Sequence, residues 1–352
     1  MKILAINPGG TSTKIAVFSN QEELLNVNVV HPDDELHRLS SLFDQLPLRK
    51  QAIFETLEHN GHSLDGFAAV AGRGGLLRPV SGGTYAVNQR MVEDLRNAVS
   101  GEHPSNLGPI LSKEIADPLG IPSFIVDPVS VDEFDEVARF SGMSEIERPS
   151  WLHALNQKAV CREVAANLGG DYRDFNFIVA HLGSGISIAA HRQGRMVDGS
   201  GGRSNGPFSP ERCGGLPAYP LVQLCFSGTY TREQLVQKMS TQAGMFDYFG
   251  TKDIAEIEQY SVEGNERASL VLEAFVYQVC KDIGGYAAVL HGKVDRIIIT
   301  GGIANSERIV SMVKARVGWL AEIAVIPGEK EMQALAAGAL RVLSGTEAAA
   351  EY

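Results

Sequence analysis

The sequence predicts an α/β fold made of two similar domains, and three observations carry that reading. Near the N-terminus, residues 3–6 and 15–18 are apolar runs separated by Asn7-Pro8-Gly9-Gly10-Thr11-Ser12-Thr13-Lys14. This reads as strand, tight polar turn, strand. The same device returns half a chain later, where 177–180 and 186–190 flank His181-Leu182-Gly183-Ser184-Gly185. Elsewhere, short apolar runs alternate with helix-like stretches, the pattern of an α/β class. Two such hairpins suggest two domains facing each other, each giving a phosphate-binding turn to a shared cleft. The alternative is coincidence, because glycine hairpins are common. No low-complexity linker divides the halves. The expected domains are 1–149, completed by a C-terminal helix over 332–352, and 150–331.

Taken in order, 34–46 and 48–58 read as helices broken at Pro47. Residues 67–71 form a strand that ends in Gly72-Arg73-Gly74-Gly75. Helices follow over 88–99 and 106–119, the second closed by Gly120. Residues 123–126 form a short strand ending at Asp127-Pro128, and 150–168 a helix before Gly169-Gly170. After the second hairpin, 195–198 extends the meander and 233–239 is helical. A long apolar helix over 268–290 is expected to be interrupted at Gly284-Gly285. A buried strand at 296–300 leads to Gly301-Gly302, a helix at 306–317, a strand at 323–326 and a helix at 332–343. The tail at 347–351 reads as a frayed helix end.

Composition narrows the function. With 44% hydrophobic and 21% charged residues, the chain has the make-up of an ordinary globular protein. A net charge of −11 with no basic stripe argues against a nucleic-acid binder. A small anion would therefore need local Lys, Arg and backbone N–H groups to overcome the global field. No run approaches the roughly 20 apolar residues of a membrane span, and the short start from Ile3 is no signal peptide. Cys161, Cys213, Cys225 and Cys280 form no C-x-x-C pair, so a reducing cytoplasmic setting is expected.

The first turn holds two glycines, three hydroxyls, an amide and a lysine, the groups a phosphate or Mg²⁺ would take. It lacks the spacing of a P-loop. The second turn, with Gly183 and Gly185, lacks the third glycine of a dinucleotide fingerprint and leads into strand rather than helix. An ordinary hairpin is the competing reading of each, and it stands even for the second. Thr300-Gly301-Gly302-Ile303-Ala304-Asn305 joins strand to helix and suits an adenosine pocket or a packing loop. Arg73 and Arg212 both lie beside glycines, where a bidentate fork can meet carboxylate or phosphate. A surface salt bridge is the plainer fate of either. Asp127 is a strand-end functional group or a turn former, and His153 an active or a core histidine. Glu331 is a ligand or a helix-dipole partner.

Together these segments resemble the butyrate kinases within the wider acetate kinase family of the actin/Hsp70/sugar-kinase superfamily. The carrying stretches are Asn7 to Lys14, Gly72-Arg73-Gly74-Gly75-Leu76-Leu77-Arg78-Pro79, and Gly82-Gly83-Thr84-Tyr85-Ala86-Val87-Asn88. They continue with His153-Ala154-Leu155-Asn156-Gln157-Lys158-Ala159, Ala180-His181-Leu182-Gly183, Gly206-Pro207-Phe208-Ser209-Pro210-Glu211-Arg212, Thr300-Gly301-Gly302-Ile303-Ala304 and Pro327-Gly328-Glu329. The resemblance implies two ribonuclease-H-like α/β domains flanking an ATP cleft. It implies reversible ATP-dependent phosphorylation of butanoate or another short-chain acid, Mg²⁺ as cofactor, and a homodimer or larger homo-oligomer. By this resemblance Arg73, Asp127, His153 and Arg212 are catalytic. Asn7, Thr11, Ser12 and Lys14 form the first phosphate turn, and His181, Gly183, Ser184 and Gly185 the second. Gly301, Gly302 and Asn305 line the adenosine, and Asn7 and Glu331 meet Mg²⁺, with Glu329 the other choice for the metal. The chain departs from the family at three places. Gly10 stands where relatives carry a serine, and Gln157 where acetate kinases have a second histidine. The 198–205 loop follows a different pattern.

The chemistry suits the residues. A carboxylate is already ionised at neutral pH, so no general base is needed. The obstacle is bringing an anion to ATP, which Arg73, Arg212, Lys14, His153, backbone N–H groups and Mg²⁺ would offset. An acetate or propionate kinase is the near alternative. A sugar kinase would use Asp127 as base, and a non-catalytic ATP-binding regulator would need a recognition module that no segment supplies. The long helix from Ala268 is either a dimer face or intradomain core.

Overall fold

The structure is a computed structural model that describes residues 1–201 and 205–352. It divides into two compact units, Met1–Asp132 with Lys330–Tyr352, and Glu133–Glu329. The sequence reading had placed the division at 149/150.

The first unit is built on a six-stranded sheet. Its strands are β1 (Lys2–Pro8), β2 (Ser12–Ser19), β3 (Glu22–Val30), β4 (Phe67–Arg73), β5 (Thr84–Ala86) and β6 (Ser123–Val126), in the order β3-β2-β1-β4-β6-β5. β1, β2 and β3 form an antiparallel meander. β4 runs parallel to β1 and β6 parallel to β4, while β5 is antiparallel to β6. Ile3 to Ile6 are all fully buried, as expected of a central strand covered on both faces. Leu4 and Ile6 pack in one cluster with Ile53, Leu107 and Leu111. The helix Glu331–Leu343 returns from the far end of the chain to pack on β1, β4 and β6.

The second unit repeats the plan. Its strands are β7 (Asn176–Leu182), β8 (Ile186–Arg192), β9 (Arg195–Gly201), β10 (Arg296–Gly301) and β11 (Ile323–Pro327), in the order β11-β10-β7-β8-β9. β7, β8 and β9 form the antiparallel meander, and β10 and β11 add in parallel. The order β9-β8-β7-β10-β11 therefore matches β3-β2-β1-β4-β6 strand for strand. Both glycine-rich turns are the tips of the first hairpins of equivalent meanders. The fold is two similar α/β domains with mixed sheets, as the sequence predicts.

Several local expectations are corrected. Residues 34–46 are not one helix: Asp33–His37 is followed by a separate 3₁₀ turn, Leu42–Gln45, that Ser41 and Asp44 cap reciprocally. Pro47 does not break a helix but lies in the first turn of Leu46–His59, where its missing N–H costs nothing. The helix Glu266–Val289 runs uninterrupted through Gly284-Gly285. Two helical glycines cost about 1 kcal/mol each, which the burial of Phe275, Val276, Val279 and Ile283 outweighs. That buried face is intradomain core.

The predicted C-terminal helix stops at Leu343. The tail beyond it is extended rather than frayed: Ala350 exchanges backbone hydrogen bonds with Thr84 (2.8 Å) and Ala86 (3.1 Å). β3, β5 and the helices Ala218–Cys225 and Ile254–Val262 were not foreseen. Part of the 198–205 loop lies outside the described residues. Among the described residues, no helix is long and apolar enough to cross a membrane.

Glycine matters where β4 meets the helix Leu107–Ala116. A Cβ on Gly108 would lie 2.2 Å from the carbonyl oxygen of Arg73, and one on Gly72 would lie 2.2 Å from Ser112 Oγ. The helix backbone thus rests directly on the end of β4 and fixes where Arg73 emerges. Gly108→Ala is expected to cost at least about 1–3 kcal/mol by overpacking, read as a lower midpoint in chemical denaturation.

Candidate functional site

Each unit gathers polar groups at the carboxyl ends of its parallel strands, where open α/β sheets take ligands. In the first unit, Asn7 is the next-to-last residue of β1 and Arg73 ends β4, and both reach Glu331, the first residue of its helix. Glu331 Oε2 accepts from Asn7 Nδ2 at 2.7 Å and from Arg73 Nη1 at 2.9 Å. Arg73 Nη1 also lies 3.5 Å from Asn7 Oδ1. The Nε–H of Arg73 is buried with no partner among the described residues. An unpaired buried donor is costly, so this nitrogen is suited to an incoming acceptor such as a carboxylate or phosphate oxygen.

Asp127 follows Val126, the residue that pairs with Arg73 across the sheet. It is 1% exposed and adopts φ +38°, a conformation that costs an L residue about 1–3 kcal/mol. Reciprocal bonds hold it there: Gly83 N donates to Asp127 Oδ1 at 2.8 Å, and Asp127 N donates to Gly83 O at 2.9 Å. Lys14 stands exposed on β2 directly opposite Asn7. Thr11 lies in the turn itself, and Ser12 begins β2.

The residue that shapes this turn was missed by sequence reasoning. Arg49, fully buried on the helix Leu46–His59, donates to Gly10 O (2.8 Å), Ser12 O (2.8 Å), Thr13 Oγ1 (2.9 Å) and Gln45 Oε1 (2.8 and 3.0 Å). His31 N donates to Thr11 O at 2.8 Å. The carbonyls of residues 10, 11 and 12 are therefore all occupied. In a planar trans peptide the N–H points opposite to the C=O, so the amides of Thr11 and Ser12 are directed away from these partners. Burial lowers Arg49 to about 10, which leaves it charged at neutral pH. Nothing in the local pattern of the helix marks Arg49, because its partners in the turn lie 36–39 residues away.

In the second unit, His153, His181, Arg212 and the turn 183–185 come together. The rings of His153 and His181 stack with centroids 4.0 Å apart and planes 15° apart. A Cβ on Gly185 would lie 2.8 Å from Arg212 Nη1 and 3.4 Å from His153 Cε1, and one on Gly183 would lie 3.3 Å from His181 Nε2. Side chains at 183 and 185 would thus fill the space onto which two imidazoles and a guanidinium converge. That space is a cradle for an anionic group such as phosphate.

Ser209, buried and also missed, ties the turn to the Arg212 loop. Its hydroxyl donates to Ser184 O at 2.6 Å and accepts from Arg212 N at 3.1 Å. Gly301, with φ +90°, presses on Leu182 and exchanges backbone bonds with Gly328 (2.9 and 3.0 Å). Gly302 and Asn305 begin and end the short turn after it, closed by Asn305 Nδ2 donating to Gly302 O at 2.8 Å. Glu329 Oε1 lies 3.7 Å from His181 Nε2. The two glutamates left open by the sequence therefore separate, Glu331 with Asn7 and Glu329 with His181.

Among the described residues, no group of three or more His, Cys, Asp or Glu is placed to hold a metal ion. Asn7 and Glu331 do offer hard oxygens of the kind Mg²⁺ takes when waters and phosphate oxygens complete its shell.

Comparison with known proteins follows this geometry. The profile of the acetokinase family matches residues 148–339. The fold is similar to that of the Porphyromonas gingivalis acetate kinase, with a TM-score of 0.79 and 19% identity over 98% of this chain and 100% of that one. It is similar to a propionate kinase from Francisella tularensis subsp. tularensis SCHU S4, with a TM-score of 0.75 and 20% identity over 96% and 98%. A ROK family protein from Streptococcus pneumoniae matches more loosely, with a TM-score of 0.51 and 14% identity over 99% and 100%.

Two buried histidines set a pH dependence. His31, bonded to Thr13 Oγ1 at 2.8 Å, is lowered by burial and then by Arg49. His191 is lowered well below 6.5 by burial, with Lys158 and Arg162 adding to the effect. Below about pH 6.5 the unfolded chain binds protons that the folded chain refuses, so stability falls as pH falls. The slope reaches about 1.4 kcal/mol per pH unit per histidine. Urea midpoints measured from pH 7.5 downward check this, and His31→Gln is expected to flatten the decline.

Proposed function

The chain belongs to the acetokinase family of ATP-using carboxylate kinases, and we propose that its acceptor is butanoate or a branched acid of similar size. The products are an acyl phosphate and ADP, and the reaction also runs in reverse to make ATP. The observation that carries the reading is the cradle at Gly185, where Arg212, His153 and His181 converge on a turn that leaves room for a phosphoryl group. The buried Nε of Arg73, without a partner among the described residues, supports a second anion, the acid itself. The acyl preference rests on the motif resemblance, and acetate or propionate is the alternative within the same chemistry.

In this reading the carboxylate oxygen attacks the γ-phosphorus in line and ADP leaves. The acid is ionised before it arrives, so no residue has to remove a proton. Arg73 receives the carboxylate. Arg212 and His153 donate to the equatorial oxygens, where charge is concentrated in the transition state. Asp127, fixed by Gly83, orients neighbouring donors rather than acting as base. The amides of the first turn with Thr11, Ser12 and Lys14, and the second turn with His181, Gly183, Ser184 and Gly185, hold phosphates. Gly301, Gly302 and Asn305 lie against the adenosine. Mg²⁺ would be held by Asn7 and Glu331, and it supplies neutralisation of the phosphate charge. The protein acts as a homodimer or larger homo-oligomer in the cytoplasm.

A hydroxamate assay with MgATP and straight or branched acids of two to six carbons tests the proposal. Acyl hydroxamate is expected, with kcat/KM highest at four carbons or a branched equivalent. A maximum at two or three carbons moves the assignment to acetate or propionate, and no product with any acid overturns it. Arg212→Ala is expected to lower kcat by about 10²–10³-fold while the chain stays folded.

A further inference from the structure

A chain of buried hydrogen bonds leads from His153 into the core of the second unit. His153 Nδ1 lies 2.7 Å from Ser187 Oγ. Gln157 Nε2 donates to the same oxygen at 2.7 Å and to the Ser187 carbonyl at 3.3 Å. Gln157 Oε1 lies 2.8 Å from His191 Nε2, and Tyr172 OH lies 2.6 Å from His191 Nδ1. Ser187, Gln157 and His191 are each 0% exposed.

The protons in this chain can be placed from chemistry alone. The Ser187 carbonyl only accepts, so the Gln157 atom beside it is the amide nitrogen and not the oxygen. The amide oxygen then faces His191 Nε2, which must carry a proton. A neutral His191 accepts at Nδ1 from Tyr172, and its low affinity for a second proton agrees with that form. Ser187 Oγ already accepts from Gln157 Nε2 and, at 3.3 Å, from His153 N. Both lone pairs are used, so its one hydrogen is donated to His153 Nδ1. The proton of a neutral His153 is left on Nε2.

His181 reaches the same state by a separate route. Thr300 Oγ1 donates to Gly328 O at 3.2 Å, so it accepts from Asn156 Nδ2, also at 3.2 Å. The same nitrogen donates to His181 Nδ1 at 3.0 Å. Among the described residues, Arg212 lies beside Gly185, next to the His153 ring, and Glu329 lies 3.7 Å from His181 Nε2.

We propose that Gln157 is a positioning residue whose hydrogen bond to Ser187 fixes His153 as the Nε2–H tautomer, a donor rather than a base. An imidazole held this way has no lone pair on Nε2 to accept a proton and carries its N–H there, as a donor. That role for His153 rests on the proposed phosphoryl transfer, but the tautomer does not. Metal-bound histidines are oriented in the same way by a partner on the other ring nitrogen, whose loss costs about 10–100-fold in affinity or activity.

Long-range ¹H–¹⁵N NMR of the full chain, in mildly alkaline solution without ligands, reads the tautomers directly, with His153→Gln and His181→Gln assigning the signals. Both histidines are expected as Nε2–H with Nδ1 bare. Gln157→Glu replaces the amide donor by an acceptor, so the Ser187 hydroxyl turns toward it and a proton should appear on His153 Nδ1. His181, held by Asn156, should not change, which also shows that the variant is folded. If that variant does not fold, Ser187→Ala is expected to release His153 into a tautomer mixture. The proposal is overturned if wild-type His153 carries its proton on Nδ1, or if the folded variant leaves Nδ1 bare. With the preferred acid, Gln157→Glu should lower kcat by about 10–100-fold with little change in KM for ATP. Absence of any kinase activity would count against the function while leaving the NMR result standing.

Discussion

The first unit depends on a buried cation held against the backbone of its glycine-rich turn. The guanidinium of Arg49 takes the carbonyl oxygens of Gly10 and Ser12 and the hydroxyl of Thr13 in one fork. With the backbone of His31 holding the Thr11 carbonyl, it decides which edge of the turn is left outward. The three-residue turn of the second unit uses a different device. There Ser209 holds the Ser184 carbonyl and, through its other bonds, brings the Arg212 loop to the same place.

The equivalence of the two sheets gives this arrangement its economy. In each unit the first strand of the meander and the parallel strand beside it end together, bringing Asn7 to Arg73 and His181 to Thr300. The residues at those ends differ according to task. The first unit presents a carboxylate, an amide and an arginine with a buried nitrogen that has no partner among the described residues, suited to a cation and an organic acid. The second presents stacked imidazoles and an arginine around open glycines, suited to phosphate. A carboxyl acceptor needs donors and no base, and the tautomers read from the hydrogen bonds make His153 and His181 donors.

Much of this was legible in the sequence, and the failures have physical reasons. The two hairpins and the strand ends at Arg73 and Asp127 were visible because apolar runs and glycine turns are local signals. Gly284-Gly285 misled because core burial overrides helix propensity. β3 was missed although Leu25, Val27 and Val29 alternate with exposed residues, because Glu22, Glu23, Asn26 and Asn28 keep it from reading as an apolar run. Arg49, Asn156 and Ser187 were missed because they act on partners 25 or more residues away. A buried polar residue in an apolar strand was the available sign at Ser187, which lies between Ile186 and Ile188. That Glu331 faces Asn7 while Glu329 faces His181 is likewise a matter of tertiary contact that two residues of spacing could not show.

The central claim is that a carboxylate oxygen is itself the nucleophile. It is tested by incubating the enzyme with MgATP and butanoate labelled with ¹⁸O in both carboxyl oxygens, then cleaving the product with hydroxylamine. Hydroxylamine attacks the acyl carbon and expels phosphate with the bridging oxygen. The account predicts inorganic phosphate carrying one ¹⁸O, seen as an isotope shift in the ³¹P spectrum, in equal amount to the hydroxamate. Unlabelled phosphate, or ADP formed without hydroxamate, would contradict it.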